Sequence, residues 1–424
     1  MGNLDYTQVL NKIENTRRFG NEPGVVVTAQ VIKGLREKGK QKRIIPYIHV
    51  AGTNGKGSVC AFFSSILKKE HMRVGTFVSP HLVDFEERIT VDGRMIPKED
   101  VTRLGNYLLD IDFGIGLTMF DYCLAMALLY FEEQQCDYMV IETGLGGRLD
   151  STNAIGTPQC AVITKIGYDH MAILGSDIVD IAAEKAGIIK ENSTVVVEQQ
   201  DKRAMQVIEQ EAQKKHARII TVEQSDIARC SGYALRLCGT FQWENAAAAE
   251  LAARYVLGKH YRGPEYEMQY DKTGPKSEKT DLNDRIKSAL EEAVWPGRME
   301  IVSKEPFLLV DGAHNSNGVD ALKESLMQMY PGEKFCFFMG VMADKDYDVM
   351  IREILPLAEE FYTVTPDSDR ALQASHLADF IRKEGVWATE LSGVDEIRKH
   401  LKRDTKNVAF GSLYFIGELK QHRI

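Results

Sequence analysis

The segment whose residue types and spacing most clearly allow chemistry is Gly52-Thr53-Asn54-Gly55-Lys56-Gly57-Ser58. It sits between an apolar run, Ile44 to Val50, and a helix-like run, Val59 to Leu67. Strand, glycine-rich turn, lysine, hydroxyl and helix in that order form a phosphate-binding loop. Glycines let backbone approach an anion without a Cβ clash, and a helix start offers N–H groups and a positive dipole end. On this reading Asn54, Gly55, Lys56, Gly57 and Ser58 cradle the phosphates of a nucleotide. Lys56 reaches the terminal phosphates, and Ser58 stands where a hydroxyl meets magnesium. The usual pattern G-x-x-x-x-G-K-[ST] is departed from twice: Val50 replaces the first glycine and Gly57 follows the lysine. The competing reading is an ordinary glycine-rich turn, and strand, lysine and hydroxyl together weigh against it.

Three further groups would suit a metal–nucleotide site. Glu142 ends the apolar run that begins at Asp137, Ser79 ends the run Arg73 to Val78, and His170 is expected at the end of a strand over 159–167. Such groups at neighbouring strand ends would hold one or two magnesium ions against phosphates. Each alone reads as a polar cap on a strand. Lys185, next to Glu184 on a helix expected over 177–190, reads on its own as a surface ion pair. Asp311-Gly312-Ala313-His314-Asn315 follows another apolar run. It presents a carboxylate and an imidazole, although these residues are also ordinary turn formers.

The elements that must position these groups alternate. An amphipathic helix opens the chain at Tyr6, Val9, Leu10 and Ile13. Asp92-Gly93 marks a hairpin within 88–96, helices follow near 98–110 and 118–134, and a glycine-rich segment spans 143–153. Further strand–helix pairs lead to a helix from Phe241 to about Leu257. Residues 258–280 lose apolar periodicity and read as a surface excursion. The alternation restarts after Trp295-Pro296-Gly297-Arg298. The fold class is therefore α/β: a large N-terminal P-loop ATPase-type domain with a mostly parallel sheet over 1–296, and a smaller Rossmann-like domain over 297–424.

Composition narrows the function. The chain has 424 residues, is 44% hydrophobic and 27% charged, and carries a net charge of −9. That excludes a dedicated nucleic-acid binder, which needs a basic field. Seven scattered cysteines without a Cys-x-x-Cys argue for reduced, buried thiols. The start of the chain has no basic region followed by an apolar one, and the apolar run 117–131 is too short to cross a bilayer. A cytoplasmic enzyme with no membrane partner is expected.

The ordered set of motifs resembles the folylpolyglutamate synthases and dihydrofolate synthases, within the superfamily of Mur-type amide ligases. The residues that carry the resemblance are Gly52 to Ser58, Ser79-Pro80-His81-Leu82 with Glu87-Arg88-Ile89, Glu142 to Asp150, Glu184-Lys185-Ala186-Gly187, and Trp295 to Arg298. Asp311 to Asn315, Asp344-Lys345-Asp346 and Gly411-Ser412-Leu413-Tyr414 complete the set. The resemblance implies an ATP- and magnesium-dependent ligase that adds L-glutamate to a reduced folate through an acyl phosphate, with dihydropteroate as a candidate second acceptor. It implies ATP contacts from the 54–58 loop, Asn245, Arg298, Asp311 and His314. It also implies magnesium ligands at Ser58, Ser79, Glu142 and His170, and catalytic roles for Lys56, His170 and a carbamylated Lys185. The substrate segments it implies are Thr118-Met119-Phe120-Asp121 and Leu149-Asp150-Ser151, and a monomer is expected. Departures include Asp121 where Glu is usual, Val78 before Ser79, Lys165 and Tyr168 near His170, and Ser316 in place of a proline. The alternatives are a sister ligase of cell-wall peptide synthesis and a nucleotide-dependent switch protein.

Overall fold

The computed structural model describes residues 4–16, 20–262 and 276–424, with side chains described outside 259–281. The chain divides into two compact units: Met1–Ala234 with Glu244–Ala293, and Leu235–Trp243 with Val294–Ile424. The expected boundary at 296/297 thus lies three residues late, and a nine-residue segment joins the second unit unforeseen. The reason is packing. Cys238 and Phe241 lie against the C-terminal core, and the Thr240 N–H donates to Ser325 Oγ at 3.0 Å.

The first unit is built on eight strands: β1 Tyr47–Ala51, β2 Val74–Phe77, β3 Ile89–Val91, β4 Arg94–Met95, β5 Tyr138–Glu142, β6 Cys160–Ile163, β7 Thr194–Val197 and β8 Arg218–Thr221. Their order is β4-β3-β2-β5-β1-β6-β7-β8. All neighbours are parallel except the β2/β3 and β3/β4 pairs around the Asp92-Gly93 turn. β1, β2, β5 and β7 are buried at every residue, as expected of strands covered on both faces. The helix Lys56–Lys69 packs on β1, β2 and β5, and the helix Lys276–Glu292 packs on that helix. Tyr47, Phe77 and Ile141 join a core with the helices Tyr6–Glu14, Gly24–Glu37, Lys98–Leu109 and Met119–Glu133. The helix Gly24–Glu37, absent from the sequence reading, buries Val27, Val31 and Leu35 at helical spacing.

The second unit holds β9 Glu300–Lys304, β10 Phe307–Val310, β11 Phe335–Met339, β12 Ala358–Thr363, β13 Ala388–Glu390 and β14 Lys406–Phe410. Their order is β13-β12-β11-β14-β10-β9, parallel except for β10/β9. Phe335, Phe337, Phe361 and Phe410 fill its core.

The helix from Phe241 runs to Arg262, and the next begins at Lys276. The flanks of the expected 258–280 excursion are therefore helical, and its centre lies outside the described residues. All seven cysteines are free thiols, six of them buried. Among the described residues no helix is long and apolar enough to cross a membrane.

Candidate active site

The loop after β1 turns directly into the helix Lys56–Lys69. Gly55 is the N-cap residue at φ 90° and has no side chain of its own to cap this helix start. A Cβ on Gly55 would lie 2.3 Å from Asn245 Oδ1, so the positive φ and the close approach both require glycine here. Asn245, 3% exposed, thereby packs against the loop. Lys56 Nζ donates to the carbonyls of Gly52 and Thr53 at 3.1 and 3.2 Å. Ser58 is buried in the first helical turn. A glycine-lined helix start with one lysine folded over it suits a polyphosphate chain.

Parallel pairing brings the next groups to the same sheet end. Val50 of β1 lies beside Glu142 of β5, and Phe77 of β2 beside Ile141. Glu142, 4% exposed, accepts a hydrogen bond from the Ser79 N–H at 3.0 Å. The carboxylate and the Ser79 segment are thus joined, as their strand-end positions suggested. His170 departs from expectation. β6 stops at Ile163, and His170 lies beyond it at φ 51°, before a one-turn helix. Its Nε2 is 3.9 Å from Asp169 Oδ1, and its side chain is 38% exposed. The strand ends early because the backbone beyond Thr164 turns to other partners: Lys165 and Ile166 N–H donate to the Glu198 and Gln200 side chains, and Lys165 O accepts from Thr53 and Asn54 N–H.

Among the described residues, no group of three or more His, Cys, Asp or Glu side chains converges as a metal cage. The donors beside the loop are hard oxygens, the Glu142 carboxylate and the Ser58 and Ser79 hydroxyls. That set fits magnesium, which takes one or two protein ligands and completes its shell with water and substrate phosphates.

Lys185 is not the surface ion pair its acidic neighbour suggested. It is 4% exposed near the end of the helix Ile178–Ala186, and its Nζ donates to Gly52 O at 2.9 Å. Burial first, then the Lys56 charge, lowers its pKa to about 7. Glu184 points elsewhere and holds Arg148: Nη2 lies 2.6 Å from its Oε1, and the Arg148 N–H donates to Glu184 O at 2.7 Å. A Cβ on Gly147 would lie 2.7 Å from that same carbonyl. The glycine-rich segment after β5 therefore seats the helix that carries Lys185.

The expected substrate segments mix buried and exposed side chains. Asp121 is 2% exposed and faces inward. One of its oxygens accepts from Thr118 N–H and Thr118 hydroxyl at 2.8 and 2.7 Å. The other accepts from Ser151 Oγ at 2.6 Å and Thr28 Oγ1 at 3.4 Å. It is the third residue of a capping box that starts the helix Met119–Glu133. Asp150 is likewise internal, accepting from Gly144 and Leu145 N–H at 3.1 and 2.9 Å and from Thr152 N–H at 3.0 Å. Burial raises its pKa. Leu149, by contrast, is 43% exposed. Met119 and Phe120 are half-buried, and the Phe120 ring lies 5.5 Å from that of Phe77. A Cβ on Gly144 would meet the Phe120 ring at 2.7 Å.

In the second unit Asp311 follows β10 and is 4% exposed. Its two oxygens accept from Met299 and Ala313 N–H, each at 2.8 Å. Burial raises its pKa, and the nearby Arg298 opposes that. A Cβ on Gly312 would lie 2.1 Å from Arg298 Nη1, so the guanidinium lies flat on this turn. His314 Nδ1 bonds to Gly312 O at 2.8 Å. Arg298, Asp311 and His314 therefore form one cluster within this unit.

Sequence reasoning missed His49, which is fully buried on β1, with Nε2 2.7 Å from Thr152 Oγ1. Thr152 donates in turn to Asp150, so His49 Nε2 carries the proton. Burial lowers its pKa to about 3. It also missed Glu198 and Gln200, which grip the 164–167 segment. A polar residue inside an otherwise apolar strand was the available signal for His49.

Comparison with known proteins agrees with this geometry. Residues 50–253 match the Mur ligase middle domain, and residues 297–411 match the Mur ligase, glutamate ligase domain. The chain is 33% identical to a dihydrofolate synthase/folylpolyglutamate synthase of Bacillus subtilis, over 98% of each chain. It superposes with TM-score 0.80 and 26% identity on E. coli FolC in complex with DHPP and ADP, covering 99% of this chain and 97% of that one. A bifunctional folylpolyglutamate synthase/dihydrofolate synthase from Yersinia pestis, complexed with AMPPNP and Mn ion, gives TM-score 0.82 at 25% identity, with coverage of 99% and 98%. The chain belongs to the folylpolyglutamate synthase/dihydrofolate synthase family of Mur ligases.

Proposed function

We propose that this chain is an ATP-dependent ligase that joins the amine of L-glutamate to a carboxylate of a reduced folate, and accepts dihydropteroate as a second substrate. The observation that carries the reading is the convergence at one sheet end of the glycine-lined helix start with Lys56, the buried Glu142 held to Ser79, and the buried Lys185 held to Gly52. The first unit then holds the phosphates. A cytoplasmic monomer is part of the same reading.

In the first step a carboxylate oxygen of the acceptor attacks the terminal phosphorus of ATP, and the bond to ADP breaks. In the second, the neutral amine of glutamate attacks the acyl carbon, phosphate departs with that oxygen, and the amine loses a proton. The backbone N–H groups at residues 55–58 and the Lys56 ammonium bind charge that spreads over the migrating phosphoryl group. Magnesium held by Glu142, Ser79 and Ser58 supplies charge neutralisation when bound. Lys185, with a pKa near 7, is substantially neutral at physiological pH. Its amine can therefore add to the carbon of carbon dioxide and lose a proton, giving an anionic carbamate beside the loop.

The test is ADP release by the purified chain. Release should require the folate and glutamate together and fall to background when either is omitted. An equal rate without them would favour a nucleotide switch instead.

A further inference from the structure

Besides the Lys56 bonds within it, the phosphate loop is gripped from outside. Residues 164–167, immediately after β6, pair with it on one side. Thr164 Oγ1 donates to Asn54 O at 2.7 Å. Lys165 O accepts from Thr53 and Asn54 N–H at 2.9 and 3.2 Å. Gly167 exchanges two 3.0 Å bonds with Thr53 Oγ1. Three of these four residues, Thr164, Lys165 and Ile166, are pinned on the other side by two side chains that follow β7. Glu198 Oε2 accepts from Lys165 N–H at 2.7 Å. Gln200 accepts from Ile166 N–H at 2.9 Å and donates to Thr164 O at 3.0 Å. Lys165 Nζ, 2.7 Å from Gln199 O, and Glu244, which accepts from Gln199 N–H at 2.7 Å, close the arrangement.

We infer that Glu198 is a positioning residue for ATP, acting on the phosphate loop through Lys165. This rests on the reading of residues 52–58 as the ATP site. The peptide between Glu198 and the loop carries the coupling directly. The carboxylate holds the Lys165 N–H, and the Lys165 carbonyl holds two loop N–H groups. Those two bonds orient the Thr53 and Asn54 peptides just before the helix start. Glu198 is 1% exposed, and its Oε1 has no hydrogen-bond partner among the described residues. A buried carboxylate with one idle oxygen is poorly suited to a purely stabilising role. What the clasp needs from the side chain is one acceptor at the Oε2 position. Glutamine supplies that acceptor and leucine does not.

The experiment measures Mg–ADP binding to the full chain by calorimetry, with KM values for ATP, glutamate and folate. Glu198→Gln should bind ADP within about twofold of wild type, since its amide oxygen replaces Oε2. Glu198→Leu should weaken ADP about tenfold, equivalent to ~1.4 kcal/mol, and raise KM for ATP alone. Gln200→Leu, at a half-buried position, should shift the same two quantities in the same direction, and it decides the matter if Glu198→Leu does not fold. Unchanged ADP affinity in the folded leucine variants would overturn the inference. So would a rise in all three KM values together, or a glutamine variant as weak as the leucine one. Failure of wild type itself to bind ADP would overturn the phosphate-loop reading instead.

Discussion

Replacing Asp121 by Asn should cost stability and leave folate affinity nearly untouched. Both carboxylate oxygens are engaged inside the first unit, with Thr118 on one side and Ser151 and Thr28 on the other. In the Asn variant the amide oxygen must stay on the Thr118 side, because a backbone N–H cannot reverse. The amide nitrogen then faces Ser151, whose hydroxyl can turn to accept. What is lost is the charge-assisted strength of the bonds, about 1.5 kcal/mol. Asp121→Ala removes the cap and strands the Thr118 N–H and Ser151 hydroxyl in buried space, about 3 kcal/mol in all. For a chain of this size, whose unfolding entropy is about 0.9 kcal/mol/K, these correspond to falls in melting temperature of roughly 2 °C and 3–4 °C. Asp121→Glu adds a methylene to a site that is 2% exposed and should cost about 1–3 kcal/mol. Combining it with Ser151→Ala, which vacates the adjoining space, should recover part of that cost. The assay pairs thermal unfolding with steady-state kinetics on tetrahydrofolate at saturating ATP. An Asn variant with unchanged melting temperature and a folate KM raised about tenfold would refute the capping account and return Asp121 to the pterin.

Lys56→Ala should leave the fold intact and lower turnover by roughly 100-fold or more, read from ADP release and circular dichroism together. Lys185→Met should abolish most ligation yet stabilise the protein near neutral pH. The folded pKa of about 7 lies below the ordinary 10.5, so the unfolded chain binds the extra proton between those values and wild-type stability rises with pH across that window. Unfolding curves of the methionine variant should lack that rise, and a parallel slope in both proteins would contradict the burial argument. His49, with its pKa near 3 against the ordinary 6.5, should make wild type lose stability as pH falls through that interval, at up to about 1.4 kcal/mol per unit. His49→Phe should flatten the curve while costing about 1–3 kcal/mol at pH 7 through the lost Thr152 partner.

Much of the second unit was legible because its pattern is simple. The alternation expected after Arg298 is present, for instance in the helix Ser316–Met329 and the strand Phe335–Met339, since apolar runs and turn residues there agree. The phosphate loop was legible for the same reason, as strand, glycine and helix signals coincide. β6 was overextended because Ile166 continues the apolar run, while the backbone of 165–167 bonds to the phosphate loop and to the Glu198 and Gln200 side chains, a long-range choice that no local pattern encodes. Lys185 looked exposed because Glu184 precedes it. Adjacent helical residues face different ways, and Glu184 is turned to Arg148 while Lys185 is turned to Gly52. The capping role of Asp121 was overlooked although its signal was present. Thr118 three residues before a carboxylate, at the start of an apolar helix, is a capping box, and the family resemblance drew attention to the substrate instead.

The central claim is that a folate carboxylate is activated by phosphorylation and then captured by glutamate, and oxygen transfer tests it most directly. The folate substrate is prepared with heavy oxygen in its terminal carboxylate and incubated with the enzyme, ATP, magnesium and glutamate. The account predicts a glutamylated product and, for each amide formed, one heavy oxygen in the released phosphate. Amide formed with unlabelled phosphate, or phosphate released without a glutamylated product, would contradict it.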